Sequence, residues 1–238
     1  MSDVSERIAA VRARIATACA SAGRAPGSVR LLAVTKGVAA ERVAEAVALG
    51  EVDLGENRVQ EMLDKQAALP ALLAARGVGP DRAPRWHMIG TLQRNKVRLV
   101  AGRVALIHGV DSPELAAEIG ARAAALGGTQ PVLVEVNASG ETTKHGFGPR
   151  DAAAAARAAF DTPGVEFRGF MTIAAPGDAR AARAAFAAVR ALRDAVDFCD
   201  PHSLELSMGM SGDLEIAVEE GATIVRVGTA LFGARPGR

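Results

Sequence analysis

The chain has 238 residues, enough for one large α/β domain whose core needs no disulfide staples. Its 28 basic and 27 acidic residues leave a net charge of +1, which excludes a global field that would gather nucleic acid or an anionic membrane. Tyrosine is absent, and Cys19 and Cys199 lie far apart without C-x-x-C spacing, so a disulfide framework and a zinc site are both disfavoured and a cytoplasmic setting is expected.

From Ser2 to Ala22 the sequence predicts an amphipathic helix. Val4, Ile8, Val11, Ile15 and Cys19 fall at helical spacing, Asp3 and Glu6 suit a capping box, and Gly23 suits a helix end. The charges of Asp3, Glu6, Arg7, Arg12 and Arg14 exclude a signal-peptide core. No stretch approaches the roughly 20 consecutive apolar residues of a membrane span.

Beyond that helix one pattern repeats: a short β-branched run, a Gly or polar turn, then an alanine-rich helical stretch. Strands are predicted over Arg30–Lys36, Val52–Gly55, Arg85–Ile89, Val104–Val110, Pro131–Asn137, Val165–Ile173, Ser203–Met208 and Thr223–Val227. Helices are predicted over Ala40–Leu49, Asn57–Leu69, Leu92–Val100, Pro113–Leu126, Asp151–Phe160, Asp178–Val196 and Gly212–Glu220. Ser112 before Pro113 reads as a helix start, and Gly50 and Gly221 read as helix ends. Strands alternating with single helices imply parallel pairing, and eight units of this length match an α/β fold of the (β/α)8 TIM-barrel type. The competing doubly wound sheet lacks its G-x-G-x-x-G turn after the first strand. Gly77–Pro84 reads as a loop, so residues 1–238 are expected to form a single barrel domain.

Lys36 ends the first predicted strand, on the face shared by Leu32 and Val34. An ammonium at the carboxyl end of a barrel strand stands where sites are built, and an apolar setting lowers a lysine toward Schiff-base chemistry. Taken alone, Lys36 reads more readily as the solvated first residue of a loop. The last two units supply more. Ser207-Met208-Gly209-Met210-Ser211-Gly212 and Val227-Gly228-Thr229 place small residues after strands seven and eight, where this fold frequently holds phosphate. Each loop has a plain alternative, Ser211 as a helix cap and Gly228 as a turn. Arg226 shares its strand face with Ile224 and Gly228, and an inward arginine needs an acceptor, for which Glu205 is the plain candidate. A lysine, a phosphate cup and a polar ring partner together describe pyridoxal 5′-phosphate held as an internal aldimine.

The blocks Leu32-Ala33-Val34-Thr35-Lys36, Gly55-Glu56-Asn57-Arg58-Val59-Gln60-Glu61, Trp86-His87-Met88-Ile89-Gly90-Thr91-Leu92-Gln93-Arg94-Asn95-Lys96, Lys144-His145-Gly146-Phe147, Arg168-Gly169-Phe170-Met171-Thr172-Ile173, Leu206-Ser207-Met208-Gly209-Met210-Ser211 and Val225-Arg226-Val227-Gly228-Thr229-Ala230-Leu231-Phe232-Gly233 follow one another in order. Together they closely resemble the YggS/PROSC family of pyridoxal phosphate homeostasis proteins. The resemblance implies a type III pyridoxal phosphate fold, similar to the amino-terminal domain of alanine racemase, that binds the cofactor without established turnover. It also implies that Lys36 forms the Schiff base, that Ser211, Gly228 and Thr229 hold the phosphate, that Arg226 faces the pyridine nitrogen and that Asn57 lies near the ring. Apo-enzyme clients and a monomer or weak dimer are further expectations of the resemblance. Thr35 stands where the family often has serine, Ala39 where it often has proline and Arg58 where it often has tyrosine, which leaves the tyrosine's contribution in doubt.

A low-activity amino-acid racemase is the second reading, weakened by the missing tyrosine that a two-base relative would use. His87 reads as a packed core residue more readily than as a proton shuttle, and His108, His145 and His202 lack ligand spacing, so no metal is expected. Met171, Met208 and Met210 read as gap-fillers, and Lys96 with Arg94 and Arg98 as a solvated face. Lys144 either gates the mouth or faces water, and Arg235-Pro236-Gly237-Arg238 has no assigned place.

Overall fold

A computed structural model describes residues 2–25, 27–138 and 145–234. Eight parallel strands close into a barrel in sequence order: β1 (Arg30–Val34), β2 (Asp53–Glu56), β3 (Arg85–Met88), β4 (Leu106–Val110), β5 (Gln130–Glu135), β6 (Val165–Met171), β7 (Glu205–Ser207) and β8 (Ile224–Val227). Register pairs such as Ala33 with Leu54, Gly55 with His87 and Leu32 with Arg226 set which side chains share a level. Among the described residues eight α-helices accompany them: α1 (Asp3–Ser21), α2 (Ala40–Ala48), α3 (Val59–Ala74), α4 (Pro113–Ala125), α5 (Ala152–Asp161), α6 (Ala179–Asp194), α7 (Leu214–Glu219) and α8 (Thr229–Phe232). The expected (β/α)8 barrel is therefore present.

Alternation along the strands divides the core in two. Leu32, Leu106, Leu133, Met171 and Ile224, with Ile89 packed against them, fill the barrel interior. The opposite faces of the strands meet the helices through residues such as Ala33, Leu54, Ile107, Val132 and Phe170. Helix α1 buries the residues its spacing singled out, Val4, Ile8, Val11, Ile15 and Cys19, and packs against α7 and α8. Among the described residues no helix is long and apolar enough to cross a membrane.

Several boundaries differ from the sequence-based expectation. Ser2, not Asp3, caps α1, its Oγ accepting from the Ser5 N–H, while Asp3 pairs with Arg7 inside the first turn. Helix α3 runs through Pro70 to Ala74 instead of stopping at Leu69, because Leu69 and Leu73 bury against the core and outweigh the hydrogen bond that proline removes. Leu92–Val100 is only a six-residue 3₁₀ turn, Arg94–Leu99, which buries one side chain, Val97, and leaves Arg94, Lys96 and Arg98 exposed. Strand β1 ends at Val34, two residues before Lys36, and β7 is shortened by a 3₁₀ turn at Pro201–Ser203.

Candidate functional site

The carboxyl ends of β1, β2, β7 and β8 surround a cavity of about 280 Å³ lined by Lys36, Asn57, Met210, Ser211, Arg226, Gly228 and Thr229, with Val34, Ile89, Ile173 and Phe232 as its apolar walls. All six residues singled out for a cofactor thus meet in one place. No carboxylate stands among its described lining residues.

A cluster behind the cavity fixes the segment carrying Lys36. The Thr35 N–H bonds to Gly55 O at 3.0 Å, and the Val38 N–H closes a turn onto Thr35 O at 2.9 Å. Buried Lys65 donates to Thr35 O at 2.6 Å, to Glu56 Oε1 at 2.6 Å and to Glu61 Oε1 at 2.7 Å. Thr35 Oγ1 donates to the same Glu56 oxygen, and Glu61 also accepts from the Gly37 N–H. Burial raises the Glu56 carboxyl above its ordinary value even though Lys65 and Thr35 pull it down. The more exposed Glu61 is lowered, since the hydrogen bonds from Lys65 and Gly37 outweigh its desolvation. Sequence reading missed this cluster, although the i,i+4 spacing of Glu61 and Lys65 was the signal that could have found it.

Opposite Lys36 the loops after β7 and β8 touch each other. Thr229 Oγ1 donates to Ser211 Oγ at 3.1 Å, and the Ala230 N–H approaches the same oxygen at 3.4 Å. Ser211 is not a helix cap: Asp213 occupies that position in α7 and accepts from the Met210 N–H. Among the described residues the N–H groups of Ser211, Gly212 and Gly228 have no backbone acceptor, so they remain available to an anion. Glycine at 228 permits a close approach, since a Cβ there would stand 3.2 Å from Val34 O and 3.3 Å from Val34 Cβ, tighter than ordinary contact. Gly209 turns the chain at φ 91°, where an added Cβ would lie 2.4 Å from that of Ala217.

Arg226 is 5% exposed, and its partners are not the expected carboxylate. Glu205 pairs with Arg30 at 2.8 Å instead, at the other end of the barrel. Arg226 Nη1 donates to Ser207 O at 2.6 Å and Ser207 Oγ at 2.7 Å, and Nη2 donates to Thr172 O at 2.9 Å. Three of five guanidinium N–H groups are thereby engaged, and among the described residues Nε–H and one Nη2–H have no acceptor. Burial lowers its pKa to about 10, with Glu135 and Asp213 opposing that shift, so the cation persists at neutral pH.

Asn57 also borders an adjoining lobe of about 270 Å³ that contains Glu135, Asn137 and His145. Burial and the nearby Asp111 raise the Glu135 carboxyl, against the pull of His145 and Arg226. Among the described residues the buried Asn57 Oδ1 atom has no hydrogen-bond partner. Lys144 and Arg235–Arg238 lie outside the described residues. Met171 and Met208 are packed as fillers, whereas Met210 lines the cavity. His87 is buried and hydrogen-bonded, as the core reading expects, and its partners include His108. Among the described residues no cluster of His, Cys, Asp and Glu is arranged to hold a metal ion.

A parallel barrel with its cavity at the strand carboxyl ends, a lysine after β1 and donor loops after β7 and β8 defines the class of the amino-terminal domain of alanine racemase. The family described as alanine racemase, N-terminal domain, matches residues 7–236. Within that class the chain belongs to the family of pyridoxal phosphate homeostasis proteins. It is 45% identical to the protein of that name from Pseudomonas aeruginosa over 99% of this chain and 97% of the other, and 37% identical to that of Escherichia coli over 99% and 98%. Among solved structures, PipY of Synechococcus elongatus with pyridoxal phosphate bound superposes with a TM-score of 0.77 at 36% identity, covering 97% of this chain and all of the other. Alanine racemase of Clostridium difficile shares the fold at a TM-score of 0.66 and 19% identity, covering 88% of this chain and 53% of that one.

Proposed function

We propose that this chain binds pyridoxal 5′-phosphate in the cavity at the mouth of the barrel and serves intracellular vitamin B6 homeostasis by holding the cofactor and passing it to apo-enzymes. One observation carries the reading: Lys36, Arg226 and the donor loops around Ser211 and Gly228 line one cavity that contains no carboxylate among its described lining residues. That donor set suits an anionic phosphate ester bearing an aldehyde and a ring nitrogen. The N–H groups of Ser211, Gly212 and Gly228, with the Thr229 hydroxyl, would take the phosphate. Lys36 Nζ would condense with the aldehyde, releasing one water. Bound there, the cofactor supplies a conjugated carbonyl that captures amines and draws electrons from them.

Arg226 only donates hydrogen bonds, so facing the ring nitrogen it favours the unprotonated ring and weakens the electron sink. Such an arrangement suits storage better than turnover. A second base across the ring from Lys36, which a two-base racemase needs, has no counterpart among the described lining residues.

The test is the visible absorbance of the protein mixed with pyridoxal phosphate, before and after borohydride, for wild type and Lys36→Ala. The expected result is a band in the wild type that reduction fixes covalently, and its absence in the variant. A reducible adduct of equal yield in Lys36→Ala would remove Lys36 from its role. Transfer to an apo-enzyme in the presence of a scavenger of free aldehyde then tests delivery, and loss of all cofactor to the scavenger would overturn it.

A further inference from the structure

The barrel interior contains a row of polar side chains that the cofactor cavity does not use directly. Asp53 on β2, His87 on β3, His108 on β4 and Ser207 on β7 project inward beneath Arg226 of β8, and all five are buried. The links are continuous: Arg226 Nη1 to Ser207 Oγ at 2.7 Å, Ser207 Oγ to His108 Nδ1 at 2.9 Å, His108 Nε2 to His87 Nδ1 at 3.0 Å, and His87 Nε2 to Asp53 Oδ1 at 3.1 Å. Arg85 closes the far end with two bonds to Asp53, at 2.8 and 2.6 Å. Asp53 and Arg85 border a separate cavity at the amino ends of the strands, together with Arg12, Arg30 and Glu51.

The two ends fix the proton order. A guanidinium only donates and a carboxylate only accepts, so with both imidazoles neutral each intermediate group accepts from the Arg226 side and donates toward Asp53. Ser207 accepts from Arg226 and gives its hydrogen to His108 Nδ1. His108 then donates from Nε2 to His87 Nδ1, and His87 donates from Nε2 to Asp53. A further proton on either ring would turn His108 Nδ1 into a donor and oblige the Ser207 hydroxyl to swing away from it. With both rings neutral the chain therefore admits one arrangement, each ring carrying its proton on Nε2.

We propose that Asp53, His87, His108 and Ser207 are positioning residues for Arg226, holding its guanidinium at one angle to the cofactor cavity and tying that angle to Arg85 at the opposite end of the barrel. The assignment rests on the reading that Arg226 faces the bound cofactor, but the chain itself is present without it. Arg85 is more than half exposed, so it is the one member that a surface substitution reaches.

The experiment uses the full chain labelled with ¹⁵N at histidine and arginine, at neutral pH, first without pyridoxal phosphate. Expected are two buried imidazoles with the Nε2–H pattern and one slowly rotating guanidinium from Arg226. A ring carrying its proton on Nδ1, or on both nitrogens, overturns this proton order and with it the donation from Ser207 to His108. In Asp53→Asn and Arg85→Met the Arg226 signal is expected to average by faster rotation, and Asp53→Glu to restore part of the wild-type pattern. Unchanged Arg226 signals in both variants overturn the positioning role, even if both melt at lower temperature.

With pyridoxal phosphate added, Asp53→Asn is expected to shift the absorbance maximum and raise Kd about fivefold, the size of one ordinary net hydrogen bond, with Lys36 still reducible onto the cofactor. No spectral or affinity change there would overturn the link to the cofactor. Failure of the wild type to bind at all would instead overturn the cofactor reading, and the arginine signals would still decide the chain.

Discussion

Lys65 makes the most consequential contacts of any residue outside the cavity. It is 6% exposed, it neutralises a Glu56 side chain with no exposure at all, and it holds the carbonyl of the residue before Lys36. Its removal would strand a carboxylate in a site where burial already raises its pKa. Breaking a buried pair from one side costs about 3 kcal/mol or more, whereas replacing both members by apolar groups of similar size is far cheaper. Lys65→Met is therefore expected to lose about 3 kcal/mol in urea denaturation, and Lys65→Met with Glu56→Leu to regain most of it. Equal losses in the single and double variants would mean that the cluster acts through packing, not charge. The cofactor should separate the two as well: the double variant keeps the fold but not the tether on Thr35 O, so its affinity for pyridoxal phosphate should stay low.

At the scale of elements, α1 does more than cover the barrel. Its Arg14 binds Glu215 of α7 through Nε at 2.6 Å and Nη2 at 2.9 Å, and Nη2 also donates to Ser211 O at 3.0 Å. The amino-terminal helix thus holds the back of the loop proposed to take the phosphate. Arg14 is over a third exposed, so its ion pair adds little stability by itself, under about 1 kcal/mol. Its effect on the loop is different in kind, because it orders backbone that the ligand must meet. Arg14→Met is expected to weaken pyridoxal phosphate binding about threefold to fivefold while moving the folding free energy by less than about 1 kcal/mol. A drop in stability without a change in affinity would assign Arg14 to packing alone. No local pattern announces this contact, since Arg14 and Ser211 lie at opposite ends of the chain. What the sequence did make legible at this scale was period and punctuation: the capped start at Ser112, the glycine ends at Gly50 and Gly221, and the apolar face of α1. Where it misled, tertiary packing had overruled a local preference, as with the burial that carries α3 through Pro70.

For the whole molecule, eight alternating units were enough to anticipate a closed barrel and the end at which its site lies, because handedness and closure leave few other arrangements. Of the six candidate residues, Lys36, Ser211, Arg226, Gly228 and Thr229 were legible because each stands next to a strand end or in a short loop, whereas Asn57 was named only through the family resemblance. The interior chain was not legible, since its members are spread over five strands and each alone looks like an ordinary core residue. Its effect on stability should nonetheless be measurable. Burial drives the His108 pKa well below its ordinary 6.5, reinforced by His87, Arg226 and Arg30. The unfolded chain takes up that proton as pH falls through about 6.5, while the folded chain does not. The stabilisation is thus fully present above pH 6.5 and drains away below it. Asp53 adds a second, lower window: burial would raise it, but hydrogen bonds from His87 and Arg85 hold it at about 2 against an ordinary 3.8. Its contribution, about 2 kcal/mol, is complete above pH 4 and is lost toward pH 2. Unfolding free energies in urea from pH 8 to 3 should therefore bend downward near 6.5, approaching a slope of about 1.4 kcal/mol per pH unit from His108. In His108→Gln that bend should flatten while the lower one remains. A wild-type profile that is level down to pH 5 would mean that the barrel interior accepts the proton, and the Ser207 hydroxyl would then have to swing away from His108 Nδ1 to make room for it.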